Sequence, residues 1–274
     1  MGDAPVPTSG RGIACPGGRI LGGLVTEAGA STKSAVGIDI GGTGIKGATV
    51  DLDTGELIIE RLRLPTPAPS TPHAVADVVA ELLSRIGVDG PVGLTLPCVV
   101  SGDVVRTAAN VDSGWIGVNA VKVFEKATGR HVGVVNDADA AGLAEVRFGA
   151  GAGRSGLIIV VTLGTGIGSG MFIDGQLVPN TELGHLHLHH GDAEDFAADS
   201  ARQRDGLSWD AYAHRLGQYL DLLHRLFWPD LIIIGGGISK KSDKYLPHIT
   251  VDTEVVPAIL RNNAGIVGAA MSAR

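Results

Sequence analysis

The chain is short of cysteine, of basic charge and of long apolar runs. Its 274 residues hold two cysteines, Cys15 and Cys98, one in an irregular N-terminal stretch and one in an apolar stretch. Two thiols so placed make no disulfide framework and fit a reducing compartment, so a cytoplasmic location is expected. The formal net charge is −7. A general nucleic-acid binder carries a basic excess, so no nucleic-acid partner is expected. No apolar run approaches the roughly 20 residues of a membrane helix, so no membrane partner is expected either. Residues 1–34 lack the charged start and apolar core of a secretory signal and are rich in Gly, Pro, Ala, Ser and Thr. They read as a disordered extension. The pattern Gly-x-x-x-x-Gly-Lys-Ser/Thr is absent, which excludes a P-loop at motif level.

Glycine, by contrast, is abundant: 41 residues, much of it in short clusters. Such clusters mark tight turns and close approach of backbone to a ligand. The length suffices for one large domain or two small ones with real cores.

Ordered structure is expected from Ala35. The run Ala35 to Ile40 is a short apolar strand holding one acid, Asp39, and Gly41-Gly42 turns it. Residues 45–51 and 57–64 alternate as two further strands about the turn Asp53-Thr54-Gly55. Thr71-Pro72 starts a helix with Val75, Val78, Val79, Leu82, Leu83 and Ile86 on one face, and Gly87 stops it. Residues 91–96 form the next strand. Residues 138–148 and 208–227 read as helices, 231–234 as a strand ending in Gly235-Gly236-Gly237, and 262–273 as a small-residue helix.

One element occurs twice. Gly42-Thr43-Gly44-Ile45 follows a strand, precedes a strand and reaches Asp53-Thr54-Gly55. Gly164-Thr165-Gly166-Ile167 follows the strand 157–163, precedes a strand and reaches Asp174-Gly175. The shared context implies an internal duplication.

Gly42-x-Gly44-x-x-Gly47 also satisfies the dinucleotide fingerprint. That reading needs a helix next, and the β-prone Ala48 to Leu52 argue against it. The alternative is a phosphate clamp, with two small-residue turns aiming backbone N–H groups and the hydroxyls of Thr43 and Thr165 at phosphates. Asp39 could hold a hydrated Mg²⁺, and Lys46 is the nearest basic side chain. The expected phosphate set is Asp39, Gly41, Gly42, Thr43, Lys46, Gly164, Thr165, Gly166, Gly235, Gly236 and Gly237. Asp137 opens a helix, where a carboxylate serves as a cap or as a reactive base. Asp139 points elsewhere on the helix and is expected to be a solvated or first-turn acid. His185, His187 and His189 fall on one face if their segment is a strand, a geometry open to metal binding. Lys240, Lys241 and Lys244 form either a solvated helix face or a track for a polyanion.

Taken together, Gly37-Ile-Asp39-Ile-Gly41-Gly42-Thr43, Asn136-Asp137-Ala-Asp139-Ala-Ala141, Leu163 to Gly168 and Glu182-Leu-Gly184-His185 resemble the motifs of the ROK sugar kinases, from about residue 35 to the end. Residues 109–117, 136–145, 179–185, 228–230 and 264–270 are similar to the actinobacterial polyphosphate glucokinases of that family. The resemblance implies an α/β, actin-like ATPase fold of duplicated ribonuclease-H-like halves, two domains about a cleft. The division expected is 35–136 plus 262–274 against 137–261. It implies phosphorylation of glucose, and in some members of mannose, at the 6-hydroxyl from polyphosphate and ATP with Mg²⁺, by a monomer or homodimer. It implies Asp137 as general base, with Asn136, Asp137, Glu182, His185 and Glu194 binding the sugar; Asn110 is a further candidate for the sugar, or else a cap for the loop before Trp115. An ATP-only kinase for another hexose or an N-acetylhexosamine is the alternative, and a sugar-binding regulator a remoter one. The cysteines of the family's zinc motif are missing after Gly184-His185, so no structural zinc is expected.

Overall fold

Apolar runs ended by glycine build the first sheet. β1 (Ser34–Ile40) enters the Gly41–Gly44 turn and returns as antiparallel β2 (Ile45–Asp51). The Asp51 carboxylate accepts the amides of Asp53 and Thr54, at 2.8 and 3.2 Å, and closes the next turn. β3 (Leu62–Leu64) is shorter than the strand expected over 57–64. Leu57 alone bridges back to Val50 before the chain bends away. Thr71 caps α1 (Pro72–Ile86), and Gly87, at φ 67°, ends it in the left-handed conformation. β4 (Val92–Leu96) lies parallel to β1; the hairpin β5 (Val100–Ser101) and β6 (Val104–Val105) follows, then α2 (Ala120–Thr128) and β7 (Val132–Asn136). The order across the sheet is β3-β2-β1-β4-β7.

The structure, a computed structural model, describes residues 33–109, 111–189 and 191–273. The N-terminal extension read over residues 1–34 falls almost wholly outside them, as does the candidate Asn110.

After α3 (Asp137–Phe148) the pattern repeats. β8 (Leu157–Leu163), β9 (Ile167–Ile173), β10 (Gln176–Val178) and, after an intervening segment, β13 (Leu231–Gly235) and β14 (Glu254–Pro257) form a sheet of order β10-β9-β8-β13-β14. That is the first sheet's order, with the same antiparallel and parallel pairings. The duplication inferred from the two Gly-Thr-Gly-Ile turns is therefore a duplication of sheet topology. The intervening segment holds β11 (His187–Leu188), β12 (Gly191–Asp192), α4 (Ala193–Ala197), α5 (Asp199–Arg204) and α6 (Trp209–Phe227). α7 (Ala264–Met271) ends the fold.

Each sheet buries both faces. In β8, Ile159, Val161 and Leu163 pack outward on Tyr212, Leu216 and Leu220 of α6, while Ile158 and Val160 pack inward with Phe172. The first sheet is covered outside by α1 and α2 and inside by α7. α3 lies on β8 and β9 and packs on α7, so the two helices fill the space between the sheets. Glycines set how closely they do so. Gly37, Gly93 and Gly133 occupy one register across β1, β4 and β7. A Cβ on any of them would stand 1.7–1.9 Å from the α7 carbonyls of Ala269 or Ile266 or from the Ser272 carbonyl. The α7 backbone lies directly on the sheet along that row.

Candidate active site

The site forms where β7 meets α3. Asn136, 8% exposed, turns its Oδ1 onto the amides of Ala138 and Asp139, at 2.8 and 3.1 Å, and so caps α3. Its Nδ2 donates to the Cys98 carbonyl at 3.1 Å. The capping role open to Asp137 in the sequence thus falls to Asn136. The Asp137 carboxylate accepts the Ala138 amide at 3.0 Å and otherwise faces a cavity of about 430 Å³. Desolvation in the cleft, then the charge of Asp39, push its carboxyl up to about 6, against the pull of two backbone amides. It is ionised at neutral pH and nearer to it than an ordinary aspartate, which suits a general base.

Around Asp137 the cavity gathers Asn136, Glu182, His185 and Glu194. Glu182 ends a loop, and Leu183–His185 is one 3-10 turn. Burial raises the Glu182 carboxyl, with the His185 imidazole opposing it. His185 is raised in turn, first by its 2.8 Å bond to Asp192 and also by Glu194 and Glu182. Glu194 Oε2 accepts the Ile167 amide at 3.0 Å, which ties this group to the second glycine turn. The opposite wall is that turn, Gly164, Thr165 and Gly166, with Gly236 and Gly237 beside it. Gly236 has φ 80°, and its missing side chain lets the chain lie against the Leu163 backbone.

The first glycine turn stands apart. Asp39, Gly41, Gly42, Thr43 and Lys46 do not line this cavity, and neither does Gly235, buried at the end of β13. Asp39 acts on it through its charge. Its Oδ1 accepts the Thr95 hydroxyl at 3.1 Å, and Lys46 Nζ lies 3.5 Å from its Oδ2. Arg63, a basic group not singled out in the sequence, donates to the Thr43 carbonyl at 2.7 Å. Mg²⁺ requires one or two carboxylates, waters and substrate phosphates, not a protein cage. A half-buried Asp39 whose charge is felt at Asp137 fits that donor set.

Two expectations are corrected. Asp139 is a first-turn acid but not a solvated one: it is 1% exposed, its Oδ2 accepts the Asn180 amide at 2.8 Å, and burial pushes its carboxyl up to about 7. This third residue of α3 faces β9, not solvent, because the helix is packed between the sheets. His185, His187 and His189 do not share a strand face. His185 is in the 3-10 turn, His187 in β11, and His189 turns the chain at φ 59° and bonds to Gln218. Among the described residues no three His, Cys, Asp or Glu side chains converge as a metal cluster. Cys98, Pro97 and Thr107 also line the cavity. No local motif marks them; Pro97 and Cys98 reach it because the chain leaves β4 there, and Thr107, just past β6, is held beside them by accepting the Val99 amide at 3.0 Å.

Known proteins resemble this chain in sequence and in fold. A family model described as the ROK family matches residues 35–198. A polyphosphate glucokinase of Mycobacterium tuberculosis is 50% identical over 246 residues, 89% of this chain and 93% of that protein. The inorganic polyphosphate/ATP-glucomannokinase of Arthrobacter sp. strain KM matches with a TM-score of 0.83 and 52% identity, over 87% of this chain and 97% of that one. A ROK family glucokinase from Streptomyces griseus, solved with glucose and AMPPNP, matches with a TM-score of 0.73 and 26% identity, over 88% and 99%. The fold is the actin-like ATPase fold of these sugar kinases, and the chain belongs to the ROK family.

Proposed function

We propose that this enzyme phosphorylates glucose, and also mannose, at the 6-hydroxyl, with polyphosphate and ATP as donors. One observation carries the reading. An ionisable carboxylate, Asp137, faces a cavity with carboxylates and an imidazole on one wall and glycine amides on the other. A hexose presents hydroxyls around its ring, and Glu182, His185 and Glu194 offer the acceptors and donor to read them. Asn136 contributes less than its place suggests, because its side chain is engaged by the cap and by Cys98.

Asp137 takes the proton of the 6-hydroxyl as that oxygen bonds to the terminal phosphorus, while the bond from that phosphorus to its bridging oxygen breaks and releases polyphosphate one unit shorter, or ADP. The Gly164–Gly166 and Gly236–Gly237 turns hold the donor's terminal phosphates through backbone N–H groups and the Thr165 hydroxyl. Asp39 would hold Mg²⁺, which when bound would supply neutralising charge to the phosphates. Glu194 links the two walls by its bond to Ile167, so sugar and donor sites share a rigid contact. We place the division between lobes at Asn136–Asp137, with 35–136 and 262–274 closing on 137–261 to exclude water, a competing acceptor.

A coupled assay for glucose 6-phosphate tests this reading, with Mg²⁺ and either long-chain polyphosphate or ATP. Turnover with polyphosphate is expected. Turnover with ATP alone would remove the polyphosphate part, and none with either donor, in folded protein, would remove the glucokinase reading.

A further inference from the structure

Asn180 has no part in the chemistry above, yet its side-chain amide and its backbone N–H are all engaged. Its Oδ1 accepts the Val100 amide and its Nδ2 donates to the Val100 carbonyl, each at 2.9 Å. An asparagine amide presents an acceptor and a donor side by side, and here they pair with β5 as a neighbouring strand would. Its own backbone amide donates to Asp139 Oδ2 at 2.8 Å, from a backbone held at φ 58°. Asp139 is buried, and its Oδ1 has no hydrogen-bond partner.

These bonds join two segments that line the cavity. Val100 lies two residues past Cys98, and Asn180 lies two residues before Glu182, and Cys98 and Glu182 both line it. The same short turn holds both ends of the Cys98–Val100 segment. Asn136 Nδ2 grips the Cys98 carbonyl, and Asp139, three residues on, grips Val100 through Asn180. Asp137 sits between the two grips. On the Glu182 side the segment is also fixed to β9, where Ser169 Oγ accepts the Leu183 amide at 2.9 Å.

We infer that Asn180 and Asp139 are positioning residues, which set the Pro97–Cys98 wall and Glu182 at fixed offsets from Asp137 and so shape the sugar side of the cavity. They touch neither sugar nor donor. The consequence for sugar binding rests on the glucokinase reading; the clamp itself does not.

Three full-length variants test it. Asn180→Gly removes the side chain and keeps a residue that adopts positive φ freely, so backbone strain does not confuse the result. Asp139→Ala removes the grip on the Asn180 amide, and Asp139→Asn keeps an oxygen to accept it. Hydrogen exchange on the peptide holding Val100 reads the clamp without substrate. Asn180→Gly should speed exchange there by roughly tenfold, the scale of one lost buried hydrogen bond. In turnover, Asn180→Gly and Asp139→Ala should raise KM for glucose by roughly tenfold, with KM for polyphosphate within about twofold and kcat the lesser loss. Asp139→Asn should recover most of the glucose KM. Unchanged exchange at Val100 would overturn the clamp. Altered exchange with an unmoved glucose KM, or an equal rise for both substrates, would overturn the positioning role. Wild-type protein that fails to turn over glucose would instead refute the glucokinase reading, and the exchange result would still judge the clamp.

Discussion

Asn136 caps the helix that Asp137 begins: its Oδ1 takes the amides of Ala138 and Asp139, and the neighbouring carboxylate is left facing the cavity. Helix N-termini favour a negative charge, but burial and Asp39 outweigh that here and the Asp137 carboxyl is raised to about 6. A base works only when ionised. kcat/KM for glucose should therefore be level above about pH 6 and fall about tenfold per unit below it. A profile flat down to pH 4.5 would contradict a base at this position.

Asp139 makes a prediction about stability. Its folded carboxyl lies near 7, against an ordinary value of 3.8. The folded state therefore holds a proton that the unfolded state releases between these values. Its contribution is least unfavourable below pH 3.8, and stability falls as pH rises toward 7. Burial is the main cause, with Glu182 and Asp137 adding repulsion and the Asn180 amide opposing it. Asp139→Asn removes the titration. Its unfolding midpoint should exceed that of wild type at pH 8, with the gap closing toward pH 4. A gap independent of pH would contradict this.

Two glycines predict opposite signs for one substitution: Gly93, in the row under α7, and Gly217, inside α6. In Gly93→Ala the new Cβ would stand 1.7 Å from the Ala269 carbonyl oxygen. Backbone must move, at a cost of roughly 1–3 kcal/mol or more. Gly217→Ala, inside α6 with only an ordinary 3.9 Å contact to Ile249, should stabilise by roughly 0.5–1 kcal/mol. Urea unfolding of both variants checks the pair.

Lys241 and Lys244 each bring Nζ to 5.7 Å from the Trp209 ring centroid, and Arg202 lies over the same ring at 4.4 Å. The 3-10 segment carrying these lysines starts at Gly237, which lines the cavity. If a donor chain leaves the cavity along this basic surface, replacing Lys240, Lys241 and Lys244 with Ala raises KM for long polyphosphate by roughly tenfold and KM for ATP by much less. Equal effects on both donors would leave the lysines as a solvated face.

Much of the fold was legible because its signals are local. The β1 and β8 runs, the Gly-Thr-Gly-Ile turns, the Thr71-Pro72 start and the Gly87 stop need no distant partner. Asp137 was legible through the motif around it, although its neighbour, not the motif's carboxylate, supplies the cap. What stayed hidden depends on residues far apart in the chain. Asp139 reads as a surface acid until α3 is seen between two sheets, and its partner Asn180 is supplied by the loop after β10. The glycines at 37, 93 and 133 are unremarkable singly and become a row only when three parallel strands align them. The three-histidine face failed because alternation holds only while the strand lasts, and His189 ends it.

The central claim is that Asp137 is the base for phosphoryl transfer to glucose. It is tested most directly by Asp137→Asn in the coupled glucose 6-phosphate assay with polyphosphate, with glucose binding measured calorimetrically on the same protein. The account predicts a kcat lower by roughly 10²–10⁴-fold, with folding intact and glucose still bound. A variant that keeps kcat within about threefold of wild type, well short of the effect of losing a general base, would contradict it.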